Sequence, residues 1–307
     1  MMKSLRVEDL KKYYGEVKAV DGISFEVLSG SIFGMLGPNG AGKTTTIETI
    51  IGLLDKTEGY IEVLGLDPTK DSTELKQKIG VQLQNPSLFP RLTVAETLDL
   101  FASFYPDPLE PQEALERVEL EESSNVQVES LSGGQKHRLA VALSMVSDGE
   151  LIFLDEPTTG LDPKARRGLW GVIENLKEEG VTVFMTTHYM DEAEELCDDL
   201  VIIDRGSIIA QGSPKNLINK YFKRRAIDLV DPGFSTAEIS KIKDEMDNHV
   251  EHKDDRFIIY SENIPETFSQ LMSFANRRDM QLDDVVVRRA TLEDVFLKLT
   301  GRGIEDE

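Results

Sequence analysis

The chain has 307 residues, 40% of them hydrophobic and 29% charged, which is typical of a folded protein long enough to form two cores. Its 34 basic and 56 acidic residues give a formal net charge of −22, which argues against a nucleic-acid partner. The one cysteine, Cys197, excludes an intrachain disulfide framework and a cysteine-rich zinc site. We predict no signal peptide, and no apolar run approaches the roughly 20 residues of a membrane-spanning helix.

Short apolar runs that are typical of buried strands recur up to about residue 220 and alternate with helical stretches. The predicted strands are residues 24–27, 31–36, 151–154, 181–186 and 200–203. Helical patterns over residues 94–104 and 111–118 replace them between about residues 86 and 130. We therefore predict an α/β domain over residues 1–220, with a largely parallel sheet and a helical insertion at about 86–130.

A second, smaller domain is predicted over residues 221–307, beginning near a basic cluster at 223–225. The expected elements are a strand (226–230), a helix (236–246), a hairpin turning at 254–255 with its second arm at 257–260, a helix (265–276), a strand (285–288) and a helix (292–299). That order indicates a ferredoxin-like α+β unit with an added C-terminal helix.

The strongest motif is a phosphate-binding loop between the predicted strand 31–36 and a helical run. Its residues are Gly37, Pro38, Asn39, Gly40, Ala41, Gly42, Lys43 and Thr44, with Thr45 at the start of the helix. Glycines let several backbone N–H groups point at one phosphate chain, and the helix N-terminus adds its dipole. Lys43 is expected to reach the β- and γ-phosphates of ATP, and Thr44 to bind Mg²⁺. The alternative is a glycine-rich turn that contains a lysine by chance.

Two carboxylates follow the buried strand 151–154. Asp155 is predicted to help hold Mg²⁺, and Glu156 to polarise a water in line with the γ-phosphate. The alternative is a solvated acidic turn, which a phosphate-binding loop in the same chain makes less favoured.

Another glycine turn precedes the helical stretch 136–145. In Leu131-Ser132-Gly133-Gly134-Gln135, the Ser132 hydroxyl, the Gly134 N–H and a helix dipole predict a second anion site, although the segment could be only a capped helix. One nucleotide rarely needs two such sites from one chain. We therefore expect the second site to serve another copy in a head-to-tail pair with a twofold axis.

Over about residues 1–220 the chain resembles an ATP-binding subunit of the ABC transporter superfamily, whose core is a P-loop NTPase. The resemblance assigns further roles to Tyr14 (adenine stacking), Gln84 (Mg²⁺ or the attacking water), Asp162 (the dimer seam) and His188 (the γ-phosphate). Tyr13 and Gln82 are rivals for the first two roles. Asn85 and His137 depart from the family pattern, at positions outside the phosphate chemistry.

The resemblance implies that two subunits, in a homodimer or a pseudo-twofold heterodimer, close around two ATP–Mg²⁺. Lys43, Gln84, Glu156 and His188 would then be catalytic, and a separate membrane permease would be driven from the cytoplasmic face of the membrane. Residues 290–301 resemble the closing motif of ATPase subunits in bacterial multidrug, antibiotic-resistance and sodium-type exporters. The alternatives are a soluble ABC-type ATPase that is not coupled to transport, and a non-catalytic nucleotide sensor.

Overall fold

The computed structural model describes residues 2–84, 88–222, 225–230, 233–234, 239, 242, 249–253, 256–277, 280–282 and 284–301. The chain divides into two compact units, built on Met1–Pro214 and on Lys215–Gly303. The sequence-based boundary at 220 falls a few residues later, inside the helix Pro214–Tyr221. Within the described residues, no helix combines the length and the apolar character needed to cross a membrane.

The strands of the first unit form two sheets. They are β1 (Lys3–Tyr14), β2 (Val17–Leu28), β3 (Ile32–Leu36), β4 (Glu58–Val63), β5 (Ile79–Gln82), β6 (Leu151–Asp155), β7 (Thr182–Thr187), β8 (Asp199–Asp204) and β9 (Ser207–Gly212). An antiparallel sheet has the order β2-β1-β4, and a mixed sheet has the order β5-β6-β7-β3-β8-β9, parallel except for the pair β8-β9. Strands β3, β6 and β7 are buried along their whole length, as their continuous apolar runs predict.

The described part of the chain up to residue 221 contains eight α-helices. They are α1 (Lys43–Ile50), α2 (Ser72–Lys78), α3 (Val94–Ala102), α4 (Pro111–Arg117), α5 (Gly133–Met145), α6 (Pro163–Glu178), α7 (Met190–Leu196) and α8 (Pro214–Tyr221). Thr93 and Glu96 form a reciprocal capping box at α3, and Asp162 caps α6 ahead of a proline at its first position. The described part of the region 86–130 contains α3, α4 and two short 3₁₀ helices, Glu121–Ser123 and Val128–Ser130.

Aromatic rings join the two sheets of the first unit. Phe25 on β2 stacks on Phe33 of β3 with ring centroids 5.3 Å apart, and Phe184 on β7 lies 5.6 Å from both Phe33 and Phe153. Each of these rings is almost completely buried. Such close packing holds β3, β6 and β7 in fixed register, so the loops that follow these strands have a rigid base.

The second unit is an antiparallel sheet with helices. Its described elements after α8 are β10 (Arg225–Val230), β11 (His249–Lys253), β12 (Arg256–Ser261), α9 (Ile264–Asn276), β13 (Val286–Arg289) and α10 (Leu292–Thr300). The strand order β11-β12-β10-β13 agrees with the predicted ferredoxin-like arrangement for the described strands. The predicted helix 236–246, apart from Ile239 and Ile242, and the turn at 254–255 lie outside the described residues.

A buried carboxylate ties α10 to the sheet of the second unit. Asp294, only 3% exposed, accepts hydrogen bonds from the Tyr260 hydroxyl at 2.6 Å and from two nitrogens of Arg288 at 2.6 and 2.9 Å. It also accepts from the backbone N–H of Thr291, as part of a capping box. Burial would raise the pKa of Asp294, but Arg288 and Tyr260 outweigh it and lower that pKa. The carboxylate of Asp294 in the C-terminal motif therefore stabilises the second unit itself.

Candidate functional site

The candidate site lies at the carboxyl ends of three neighbouring parallel strands. Leu36, the last residue of β3, is paired with Thr187 on β7, and Asp155 at the end of β6 is paired with Thr186. Gly37, Glu156 and His188, which follow these strands, therefore start from adjacent points of one sheet edge. This edge is where open α/β sheets bind their ligands.

Close backbone approaches explain two glycines of the phosphate-binding loop. A Cβ atom at Gly37 would lie 2.3 Å from the carbonyl oxygen of Ile203, and one at Gly42 would lie 2.3 Å from that of Ala19. Gly42 also has a φ of 105°, which side chains strongly disfavour. Any larger residue would push the loop away from β8 and β2, so the glycines set its path.

Lys43 lies beneath this loop, with its side chain only 4% exposed. Its Nζ donates to the carbonyl oxygens of Gly37 at 2.7 Å and Pro38 at 2.9 Å, and lies 3.1 Å from Oε1 of Glu156. The lysine therefore joins the phosphate-binding loop to the acid that follows β6.

The carboxylate of Glu156 is surrounded by donors. Its Oε2 accepts from Gln84 Nε2 and from the Thr159 hydroxyl, both at 3.1 Å, and lies 3.2 Å from His188 Nδ1. Burial alone would raise the pKa of Glu156, but His188 and Lys43 outweigh it and lower the pKa to about 2. The acid is consequently ionised at neutral pH, as a residue that attracts a water proton must be.

Glu156 also has a strained backbone, with a φ of 49°. Its N–H donates to the carbonyl oxygen of Thr186 at 3.2 Å and to the Thr186 hydroxyl at 3.0 Å. These hydrogen bonds to Thr186 on β7 hold the backbone of Glu156 in the left-handed region of φ/ψ space. The side chain is thereby turned back over the sheet edge toward Lys43.

Asp155 forms a second polar cluster with two hydroxyls. Its Oδ2 accepts from Thr44 at 2.8 Å, and its Oδ1 accepts from Thr186. Burial raises the pKa of Asp155, and the two hydroxyl donors partly oppose that rise. Hydroxyl and carboxylate oxygens are ligands that Mg²⁺ accepts, so this pair fits the ion. Within the described residues no group of three acidic, cysteine or histidine side chains could hold a metal by itself.

The two candidate tyrosines differ in what their side chains contact. The Tyr13 hydroxyl donates to Asp21, whereas the Tyr14 ring is 49% exposed with Lys12 Nζ 4.9 Å from its centre. Tyr14 pairs with Val17 at the turn between β1 and β2, two residues before Ala19, whose carbonyl touches Gly42. Tyr14 is therefore half-exposed and belongs to the strand pair that contacts the phosphate-binding loop at Ala19.

The two candidate glutamines also have different surroundings. Gln84 reaches Glu156, but Gln82 is buried in β5, with neither amide atom hydrogen-bonded in the described part of the chain. Asn85, which follows Gln84, lies outside the described residues.

The residues at the start of α5 form a separate group. Ser132 and Gln135 make a reciprocal capping box, and the Gln135 amide also donates to Ser123 at 3.0 Å. A Cβ at Gly134 would lie 3.2 Å from that of Ala165, in the first turn of the helix that Asp162 caps. In the described part of the chain no hydrogen bond or ion pair joins this group to the phosphate-binding loop. The close approach of Gly134 to Ala165 shows that Ser132, Gly133, Gly134 and Gln135 lie next to the start of α6.

Sequence reasoning missed two hydroxyl residues in this arrangement. Thr186 binds both Asp155 and the Glu156 backbone, and Thr159 binds the Glu156 carboxylate. A threonine after an apolar run has no distinctive signal. The position of Thr186 opposite Asp155 depends on the pairing of β6 with β7, which the sequence pattern does not specify.

Comparisons with known proteins agree on one family. A family model described as "ABC transporter" matches residues 20–159. The "Nod factor export ATP-binding protein I" of Ralstonia nicotianae is 37% identical, with 98% of this chain and 95% of that protein covered. The "Linearmycin resistance ATP-binding protein LnrL" of Bacillus subtilis is 36% identical, with 98% and 100% covered.

A solved structure is similar to the larger part of the chain. It is a dimeric post-hydrolysis state of an ATP-binding cassette with bound ADP and Pi, which aligns with a TM-score of 0.62 and 27% identity. The alignment covers 68% of this chain and 98% of that one.

Proposed function

The chain belongs to the family of ABC transporter ATP-binding proteins, and we propose that it is the ATP-hydrolysing subunit of an exporter whose permease is a separate polypeptide. The relatives in Ralstonia nicotianae and Bacillus subtilis, named for Nod factor export and linearmycin resistance, support export. The observation that carries the proposal is the buried contact of Glu156 with Lys43, together with Gln84, Thr159 and His188 around its second oxygen.

Glu156 is the proposed general base. Its ionised carboxylate has the charge to orient an attacking water and to accept its proton, while burial keeps bulk water away. Lys43 and His188 are the proposed donors that would stabilise negative charge developing on the γ-phosphate. Gln84 shares Oε2 of Glu156 with His188, and we assign it to positioning the water.

Thr44 and Asp155 are the proposed holders of Mg²⁺. Bound Mg²⁺ would neutralise part of the phosphate charge. The Thr44 hydroxyl and the Asp155 carboxylate already contact each other, and Thr186 fixes the other carboxylate oxygen. The backbone of Gly37, Pro38, Asn39, Gly40, Ala41 and Gly42, together with Thr45, would bind the phosphates, and Tyr14 would stack on the adenine.

A second copy is proposed to complete the site. Ser132, Gly133, Gly134, Gln135 and Asp162 would face the nucleotide held by the partner, in a homodimer or a pseudo-twofold heterodimer. Three observations support this. The α5 N-terminus is capped, and among the described residues it forms no hydrogen bond or ion pair with its own phosphate-binding loop; it lies against the start of α6; and the similar cassette is dimeric.

A groove beside Gln84 is the proposed docking place for a cytoplasmic segment of the permease. It has a volume of about 440 Å³ and combines apolar with charged lining. The lining residues are Gln84, Leu88, Pro90, Val128, Glu129, Lys136 and His137. Because Gln84 touches both this groove and Glu156, a change at the nucleotide can reach the permease. Docking there would place the chain on the cytoplasmic face of the membrane.

Co-purification tests the transport assignment. The tagged chain is purified from solubilised membranes of its own host, beside a Leu88→Glu variant that adds a charge to the apolar part of the groove, at a partly exposed position. We expect a multispanning membrane protein to accompany the wild type and to be depleted at least about tenfold with the variant. Recovery of the active ATPase without any membrane protein, or with ribosomes, would instead support the soluble alternative.

A further inference from the structure

The first unit has a further buried carboxyl group, which lies outside the candidate phosphate and Mg²⁺ site. Glu192, on α7, has 0% exposure. Its Oε1 accepts hydrogen bonds from the Thr158 hydroxyl at 2.8 Å and from the indole Nε1 of Trp170 at 3.0 Å. In the described part of the chain Glu192 forms no ion pair, and no donor there lies within hydrogen-bond distance of its Oε2, although the Thr187 side chain is close enough to lower the pKa of Glu192. A polar group in such a place is costly unless it serves the structure or the chemistry.

Three segments that carry candidate site residues meet at this one oxygen. Thr158 lies two residues after Glu156, and its carbonyl accepts from the N–H of Leu161, next to Asp162. Trp170 belongs to α6, which Asp162 caps. Glu192 itself lies four residues after His188, in the helix that directly follows that loop.

The link to the reacting groups is short. Thr159, adjacent to Thr158, donates its hydroxyl to Oε2 of Glu156, and Oε2 also lies 3.2 Å from His188 Nδ1. A displacement of Thr158 would therefore move a direct partner of Glu156. A displacement of α7 would move the loop that carries His188.

We propose that Glu192 is a positioning residue for ATP hydrolysis, which acts by binding Thr158 and Trp170 so that the loop after Glu156 and the loop of His188 stay in register. This inference rests on the proposed function, because it gives Glu156 and His188 their catalytic roles. Glu192 contacts neither the phosphate-binding loop nor Lys43 in the described hydrogen bonds, so nucleotide binding should not depend on it.

The carboxyl group of Glu192 acts as a hydrogen-bond acceptor for Thr158 and Trp170. Burial raises the pKa of Glu192, and its hydroxyl and indole donors only partly oppose that rise. An amide carries an acceptor oxygen of the same geometry, so Glu192→Gln should preserve both hydrogen bonds. Glu192→Ala removes both, and Thr158→Val removes only the one that leads toward Glu156.

The test is steady-state ATPase kinetics of the full chain with these variants. We expect Glu192→Ala and Thr158→Val each to lower kcat by about 10- to 100-fold with KM for ATP changed less than about threefold, since small misplacements act on the chemical step. Glu192→Gln should keep most of the wild-type kcat. Glu195→Ala, at an exposed acid on the same helix, is the matched control and should behave as wild type.

A double-mutant cycle tests whether Glu192 acts through Thr158. If Glu192 acts through Thr158, the double variant should be no slower than the slower single variant, because both changes break one link. Trp170 is the only tryptophan of the chain, so its fluorescence verifies that each variant retains a folded environment around α6. If Glu192→Ala does not fold, Thr158→Val alone decides the matter.

Two outcomes would overturn the inference: wild-type kcat in Thr158→Val, or equal losses in Glu192→Gln and Glu192→Ala. Glu156→Gln is measured beside them. If that variant keeps full turnover, the proposed function fails; if it is inactive while Thr158→Val is fully active, only the role of Glu192 fails.

Discussion

Nζ of Lys43 lies 3.1 Å from Oε1 of Glu156, and the two side chains are only 4% and 3% exposed. A buried pair of opposite charges is stable only when further polar partners share the charge. The carbonyl oxygens of Gly37 and Pro38 do so for the lysine, and Gln84 and Thr159 do so for the acid. The phosphate-binding loop and the candidate base are thereby parts of one network.

This network predicts a pH-dependent contribution to stability. The pKa of Glu156 falls from 4.5 to about 2 on folding, because His188 and Lys43 outweigh the effect of burial. A depressed pKa stabilises the fold above the unfolded value near 4.5, and the contribution is lost as the pH falls toward 2. We expect the stability difference between wild type and Glu156→Gln to shrink as the pH falls from 6 to 3. Urea unfolding at several pH values measures it, and a difference that stays constant would contradict the ionised pair.

The contact of Thr44 with Asp155 predicts a dependence on Mg²⁺. In Asp155→Asn, the Mg²⁺ concentration for half-maximal hydrolysis should rise about 10-fold or more, since an amide binds the ion less strongly than a carboxylate. Asp99→Asn, at an exposed position on α3, is the control. An unchanged Mg²⁺ titration of Asp155→Asn would remove this residue from the proposed metal site.

The capping box at α5 allows a charge to be added without loss of the helix cap. Aspartate caps helices about as well as serine, so Ser132→Asp should fold normally. Its negative charge would repel the phosphates of a partner's ATP, and ATP-dependent dimers should fall at least about 10-fold. Thr93→Asp makes the same change at the cap of α3 and should dimerise normally. Sedimentation in the Glu156→Gln background measures this, and equal dimerisation of both variants would disprove the partner site.

The buried carboxylate of Asp294 predicts a structural role for the C-terminal motif. Asp294→Ala leaves Arg288 partly buried without one of its two acidic partners, and breaking such a pair costs about 3–5 kcal/mol. Glu293→Gln, at the exposed neighbouring acid, should change stability by less than about 0.5 kcal/mol. Hydrogen exchange of the β12 amides measures both. Protection in Asp294→Ala equal to that of the wild type would show that the network does not stabilise the second unit.

Buried elements of the first unit were predictable because their apolar runs are continuous. Strands β3, β6 and β7 lie within one residue of the expected segments at each end. Strand β1 was missed and β2 was recognised only from residue 24, because both alternate buried with exposed residues and carry many charges. Their place in the sheet comes from pairing across the chain rather than from local pattern.

The candidate site was predictable where a motif fixes both residue type and spacing, as for Lys43 and Thr44. Thr186, Thr159 and Glu192 lack such a signal, since each owes its contacts to residues that are distant in sequence or to one backbone turn. The choice between Gln82 and Gln84 also required the structure. Gln82 is the last residue of β5 and its side chain points into the interior. Gln84, two residues later, reaches Glu156 instead.

The role of Glu156 in hydrolysis is tested by measuring ATP turnover and ATP binding of Glu156→Gln. We predict that turnover falls at least about 100-fold, the usual loss on removing a general base, while ATP affinity is retained and ATP-dependent dimers accumulate. Glu178→Gln, at an exposed position on α6, should hydrolyse ATP at the wild-type rate. Turnover of Glu156→Gln within a factor of two of the wild type would show that Glu156 is not the catalytic base.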